Sequence, residues 1–297
     1  MDIYFDNAAT SWPKPQSVIQ AMNKFNESIG SNPGRSGHHR SVDAGRIIFN
    51  TRDSLADLFG ISDPLRIVLT FNITHSLNIA LQGMLQKGDH VITSSMEHNS
   101  VMRPLRELES RGVELTVIKC NQDGTMDPSL IKKQIKKNTN LIVTTHASNV
   151  TGTILPVYEI GKIASEYGIS YCVDAAQTAG VLEIDVEKYN IDLLCFTGHK
   201  SLFGPMGTGG LYIRKGLEDK IRPLTFGGTG SRSEFEIQPD FMPDKYESGT
   251  VNAIGISGLY EGVKFILETG IKNIHKQESA LINRFINGIS QIKGISL

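Results

Sequence analysis

The chain has 297 residues, with 30 Lys plus Arg against 31 Asp plus Glu and a formal net charge of -1. It can bury a large core, and it lacks the basic excess that a nucleic-acid or anionic-membrane partner would need. Three cysteines, Cys120, Cys172 and Cys195, show no CxxC spacing, which argues against a disulfide framework and suits a reducing compartment.

The opening MDIYFDNAATSWP has neither the basic start nor the apolar core of a signal peptide, and no apolar stretch could span a bilayer. A soluble cytoplasmic protein is expected. Ile3-Tyr4-Phe5 reads as a short strand, and Asp6 to Thr10 turns away from it. Small residues there suit either a plain tight turn or a close approach of backbone to a ligand. Pro13 and Pro15 introduce a helix expected over Gln16 to Ser28. Gly30 to His39 is a loop by its breakers; it carries Arg35, His38 and His39, but no ligand spacing supports a metal.

Ser41 to Phe59 has helical periodicity. Arg66 to Phe71 reads as a buried strand, leading through Asn72 and Ile73 into Thr74-His75-Ser76 and a helix from Leu77 to Leu85. A strand, a hydroxyl-bearing turn and a helix start can cradle a phosphate, because the free N–H groups and the helix dipole favour an anion. Thr74 equally suits a simple helix cap. His90 to Met96 is the next strand, followed by Glu97-His98-Asn99 and a helix to Arg111. A histidine at such a strand end can lie against a cofactor ring and move protons near neutral pH. The plain alternative is a buried structural histidine.

Val113 to Lys119 reads as a strand, Pro128 to Asn138 as a helix, and Leu141 to Ala147 as a strand leaving through Ser148-Asn149-Val150-Thr151-Gly152. Asn149 is either a turn residue or an amide donor toward a substrate carboxylate or cofactor edge. Tyr158 to Tyr167 is the crossover helix that follows. Strands alternating with helices in this way indicate a mostly parallel sheet covered on both faces.

The stretch from Ser170 to Arg214 organises the rest. One apolar strand ends on Asp174, with Gln177 a step further. A second, Ile191 to Phe196, delivers Thr197, Gly198, His199 and Lys200, and a third, Gly210 to Ile213, closes the unit. Ligands in open α/β sheets sit outside the carboxyl ends of strands, so Asp174 and Lys200 should face one crevice. A lysine and an acid aimed into one pocket are what pyridoxal phosphate requires: the lysine holds it as a Schiff base and the acid keeps its ring nitrogen protonated. GHKS is not a P-loop, since His199 interrupts the Gly-Lys pair, and Gly204 to Gly210 is not a dinucleotide fingerprint, since a strand follows. These glycines let the chain double back beneath the cofactor, placing Thr197 and His199 near its phosphate.

DAAQ followed by TGHK resembles the class V aminotransferase family and, within it, the cysteine desulfurase and selenocysteine lyase branch. YFDNAAT, the EH pair at Glu97-His98, SNVTGT and ESGT at Glu247 to Thr250 are similar to segments of that family. The resemblance implies a pyridoxal-phosphate-dependent transferase fold of the aspartate aminotransferase-like type (fold type I). Residues 16-250 would form the large cofactor domain, with 1-15 and 251-297 contributing to an incomplete small α+β domain. It implies that His98 stacks on the pyridine ring, that Gln177 bonds the ring hydroxyl, and that Thr74, His75, Asn149, Thr197 and His199 line the cofactor. Catalysis would fall to Lys200, His98 and Asp174, and Thr250 would reach the other subunit's cofactor phosphate in a homodimer.

The expected reaction removes sulfur or selenium from cysteine or selenocysteine, leaving alanine and a persulfide for an acceptor protein, as in iron–sulfur cluster assembly. Transamination, β-elimination and a cofactor-binding remnant stand as alternatives. Asn252 to Leu267 and Ile271 to Ile292 read as helices, and Gly294 to Leu297 as the opening of a strand. In the family the substrate-binding arginine and the sulfur-accepting loop cysteine follow at this point, so both are expected beyond Leu297. The chain as it stands is therefore expected to bind pyridoxal phosphate and to desulfurate cysteine poorly.

Overall fold

A computed structural model describes residues 3–34, 37–232 and 234–295. Seven strands form its sheet: β1 (Ile67–Thr70), β2 (His90–Ser94), β3 (Glu114–Ile118), β4 (Thr139–Thr145), β5 (Ser170–Asp174), β6 (Leu193–Thr197) and β7 (Gly209–Ile213). Their order is β1-β7-β6-β5-β4-β2-β3. Only the pairings of β7, with β1 and with β6, are antiparallel. The six strands other than β7 therefore send their carboxyl ends to one edge, and that edge carries the site.

The sheet is covered on both faces, which is why its strands read as unbroken apolar runs rather than alternating ones. Tyr171 and Val173 of β5, with Leu194 and Phe196 of β6, pack into one cluster with Phe59 and Leu259. Cys172 and Cys195 face the other way, into the cluster of Leu77, Val91 and Leu105. Gly210 makes room for this arrangement. It pairs with Phe196, and a Cβ there would lie 2.2 Å from the Phe196 ring.

The helices are α1 (Gln16–Lys24), α2 (His39–Phe59), α3 (Ile73–Met84), α4 (Asn99–Ser110), α5 (Ser129–Gln134), α6 (Val157–Glu166), α7 (Ala253–Thr269) and α8 (Ile271–Ile289). Ile256 and Leu259 of α7 join the same hydrophobic cluster as Leu55 and Phe59 of α2. Among the described residues no helix is long and apolar enough to cross a membrane.

Several elements differ from the sequence reading. Ile3-Tyr4-Phe5 forms no strand: Ile3 and Phe5 are exposed, and the Tyr4 hydroxyl instead lies 2.9 Å from the carbonyls of both Asp6 and Thr10, either of which can accept its proton. Helix α3 begins at Ile73, because Asn72 caps it by accepting the His75 N–H at 3.0 Å; Thr74 is thus inside the first turn. Helix α5 stops at Gln134, four residues short of its expected end. Gly294 and Ile295 are irregular, while Ser296 and Leu297 lie outside the described residues, as do Arg35 and Ser36 of the Gly30–His39 loop. His38 has a structural task there, capping α2 by accepting the Ser41 N–H.

Candidate active site

Strand β5 ends on Asp174, whose side chain is 2% exposed and whose Oδ1 accepts the Ala176 N–H at 2.9 Å. Burial pushes its carboxyl above the ordinary range, while His98 and Lys200 pull the other way. A buried acid without a full ion pair is costly unless a cation or donor reaches it, so this carboxylate calls for a cationic partner.

Strand β6 runs into the Gly198–Lys200 turn. The Gly198 N–H donates to the Thr208 carbonyl at 2.9 Å and the Gly204 N–H to the Gly198 carbonyl at 2.8 Å, so the chain does double back here. Gly207, at φ 78, supplies the left-handed residue in the return to β7. Half-buried Lys200 has its ammonium shifted below the usual lysine range by desolvation, opposed by the Asp174 charge. The buried Nδ1 of His199 has no partner, and burial with the neighbouring Lys200 and Lys14 charges lowers that imidazole too.

On the other wall, Thr74 Oγ1 and Ser100 Oγ share a hydrogen bond of 2.8 Å, and Ser100 Oγ meets His98 Nδ1 at 2.9 Å. This chain of contacts ties the start of α3 to the start of α4. His98 also caps α4, its Nδ1 accepting the Ser100 N–H at 3.1 Å. That bond leaves the neutral ring's proton on Nε2. The first-turn N–H groups of α3 beside Thr74 lack intrahelical partners, apart from the one Asn72 takes at His75.

Together these walls enclose an open cleft of about 700 Å³. It is lined by Thr74, His98, Asn149, Asp174, Gln177, Thr197, His199 and Lys200 among the residues expected from the sequence. His75 and Thr250 are not brought into it. They line an adjoining pocket of about 400 Å³, where His75 stacks on Phe71 at 5.5 Å and its Nδ1 is buried without a partner. Thr250 itself is exposed on the loop that follows Glu247.

Sequence reasoning passed over Glu97, read only as half of the EH pair. Its carboxyl is buried, shares a short hydrogen bond with Ser94 Oγ, and leaves Oε2 without a partner. Burial and the Asp174 charge push it up to about 8, against the weaker pull of its hydrogen bonds. Ser11 and Lys14 were also missed. Both touch the Lys200 turn from the far end of the chain, and no local pattern could have announced them. No group of three His, Cys, Asp or Glu among the described residues is placed to hold a metal ion.

The sheet, with an acid ending one strand and a lysine following the next, defines the pyridoxal-phosphate-dependent transferase fold of type I. The chain belongs to the class-V aminotransferase family, whose model (Aminotransferase class-V) matches residues 3–297. It is 35% identical to a probable cysteine desulfurase of Methanothermobacter thermautotrophicus, over 99% of this chain and 74% of that protein. Its fold is similar to the apo structure of a cysteine desulfurase from Thermococcus onnurineus NA1, with a TM-score of 0.89 at 35% identity, covering 97% of this chain and 73% of that one. A structure of SspA in complex with cysteine is also similar, with a TM-score of 0.79 at 32% identity over 89% of this chain and 72% of that one.

Proposed function

We propose that the cleft holds pyridoxal phosphate and that the protein is a cysteine desulfurase, taking sulfur from L-cysteine (or selenium from L-selenocysteine) and leaving alanine. The observation that carries this is the pairing of buried Asp174 with half-buried Lys200 in one cleft beside the start of α3. The donor set fits the cofactor's three polar regions. Asp174 offers a buried carboxylate to the pyridine nitrogen, Gln177 a side-chain amide to the ring hydroxyl, and the α3 start with Thr74, Thr197 and His199 a set of donors to the phosphate. The unpartnered His199 Nδ1 is one polar atom such a phosphate would satisfy. Bound there, pyridoxal phosphate would supply an electron sink for the pair released at the substrate carbon.

The chain's own residues divide the remaining work. Lys200 Nζ, its proton affinity reduced by burial, is suited to anchor the cofactor and then to take a proton from the substrate Cα at neutral pH. Asp174 would hold a positive charge at the ring nitrogen, an arrangement its buried setting favours over an unpaired carboxylate. His98 would lie against the ring, and its Nε2 carries a movable proton, with Nδ1 fixed by Ser100. Asn149, exposed at the cleft, offers its amide to the substrate carboxylate.

Overall, L-cysteine and a thiol become alanine and a persulfide: the Cβ–S bond breaks, an S–S bond forms, and Cβ gains the proton. The thiol is none of the three cysteines, which do not line the cleft. A homodimer, Thr250 serving the partner's cofactor, a cytoplasmic setting and a sulfur-acceptor protein of iron–sulfur assembly belong to the same proposal.

The test is product analysis. Cofactor-loaded protein given L-cysteine and a reducing thiol is expected to release alanine and sulfide in equal amounts. Keto acid in place of alanine would overturn the reading.

A further inference from the structure

The N-terminal segment is strapped to the lysine turn from the opposite end of the sequence. The Ser11 N–H donates to the His199 carbonyl at 3.1 Å and Thr10 Oγ1 donates to the same carbonyl at 2.9 Å. Ser11 Oγ donates to the carbonyl of Lys200 itself at 2.8 Å. Lys14 Nζ lies 2.7 Å from Ser11 Oγ and 2.7 Å from the His199 carbonyl, donating to both.

The directions of these bonds matter. A serine hydroxyl has one proton, and Ser11 Oγ is within reach of two carbonyls, His199 at 3.3 Å and Lys200 at 2.8 Å. The Ser11 N–H, Thr10 Oγ1 and Lys14 together occupy the competing His199 carbonyl, and Lys14 also takes a lone pair of Ser11 Oγ, which leaves the Ser11 proton for Lys200. No carboxylate accounts for the position of Lys14: among the described residues its ammonium donates only to these oxygens, and His199 is the titratable group that feels its charge. Its burial lowers its pKa to about 8, a cost an ordinary surface lysine would avoid.

We propose that Lys14 is a positioning residue for Lys200, aiming it by fixing the peptides on both sides of the Lys200 Cα through Ser11 and the His199 carbonyl. This rests on the reading of Lys200 as the cofactor lysine. Because small displacements of a reacting amine cost much more in rate than in binding, the effect belongs in the rate of cofactor capture.

Lys14→Met, Lys14→Arg and Ser11→Ala proteins, freed of cofactor, would be mixed with pyridoxal phosphate and followed by visible absorbance. Borohydride would then fix the cofactor for peptide mapping. Hydrogen exchange of the Phe203 amide, which donates to the Lys200 carbonyl, would report the turn in the apo protein. Lys14→Met and Ser11→Ala are expected to capture cofactor roughly tenfold more slowly and to exchange the Phe203 amide faster. Their denaturation midpoints should stay close to the parent's, and Lys14→Arg should restore most of the rate. A Lys14→Met protein that captures at the parent rate, with the label on Lys200, would overturn the proposal and leave the cofactor reading intact. A label on another lysine in the parent would overturn both. If Lys14→Met unfolds, slow capture by a folded Ser11→Ala protein supports the strap, and parental capture by it refutes the strap.

Discussion

Arg52 and Glu247, 195 residues apart, form a buried ion pair with 2.5 Å between Nη2 and Oε2 and less than 10% of either side chain exposed. Each has a second anchor: Arg52 Nε donates to the Ile67 carbonyl at 3.1 Å, and Glu247 Oε1 accepts the Leu69 N–H at 2.6 Å. The pair thus pins the loop leading to Thr250 against α2 and β1. Removing one partner strands a buried charge, which typically costs about 3–5 kcal/mol. Arg52→Met and Glu247→Leu are each expected to lower stability by that order in urea denaturation. The double variant should recover a large part of the loss, and simple additivity of the two would show that the pair is not coupled.

Borohydride reduction of the cofactor-loaded protein is expected to place the pyridoxyl label on the peptide containing Lys200, and Lys200→Ala should take up no label there while staying folded. Asp174→Asn separates charge from shape, since the asparagine oxygen can still accept the Ala176 N–H. Losing the carboxylate should lower the proton affinity of the cofactor's ring nitrogen, changing its absorbance against pH, and reduce turnover by orders of magnitude. An unchanged spectrum and near-parental turnover in loaded Asp174→Asn would reduce Asp174 to a turn cap.

Asp174 and Lys200 were legible because each follows a continuous apolar run that only a twice-covered sheet explains. The carboxyl ends of adjacent parallel strands must then share an edge. Other features depend on side-chain choices that local pattern leaves open. The α3 start is hidden from local pattern because the Asn72 cap is a side-chain decision, and apolar Ile73 at the first position resembles a continuation of the loop. Ile3-Tyr4-Phe5 has strand composition, yet a strand also needs a partner edge, and that is a long-range property. The same limit hid Lys14, whose bond to His199 spans 185 residues.

Cys172 and Cys195 face each other at 3.9 Å between β5 and β6, both fully buried, and burial pushes the Cys195 thiol well above the ordinary range. A thiolate nucleophile needs access, which both lack, and a lowered pKa, which Cys195 lacks. Cys172→Ala and Cys195→Ala, made singly, should leave any desulfuration rate of the folded protein within about twofold, with a stability loss of roughly 1 kcal/mol from the small voids created. Half-buried Cys120 lies outside the cleft as well, and its replacement by serine should be equally silent. A variant that loses persulfide formation while still labelling at Lys200 would identify its cysteine as the nucleophile.

Two buried groups set opposite limits on the pH range of stability. The imidazole of His146, next to the Asp174 strand end, is lowered to about 4 by burial, and its Nδ1 has no partner to share a proton with. The unfolded chain therefore binds a proton more readily below the ordinary histidine pKa, so this contribution is full above pH 6.5 and is lost as pH falls toward 4. Glu97 acts with the reverse sign. Its folded pKa is raised from 4.5 to about 8, so the native state holds the proton that the unfolded chain releases, and stability falls as pH rises through that window. Each pH unit between the folded and unfolded values corresponds to about 1.4 kcal/mol, so each arm amounts to a few kcal/mol. Urea denaturation of the apo protein should thus show a maximum at mildly acid pH. Glu97→Gln, a neutral isostere of the protonated acid, should flatten the alkaline arm without weakening the protein near pH 5. His146→Asn should flatten the acid arm. An alkaline arm of unchanged slope in Glu97→Gln would mean that Glu97 is ionised in the native state, and Asp174, raised in the same direction, would then be the group responsible.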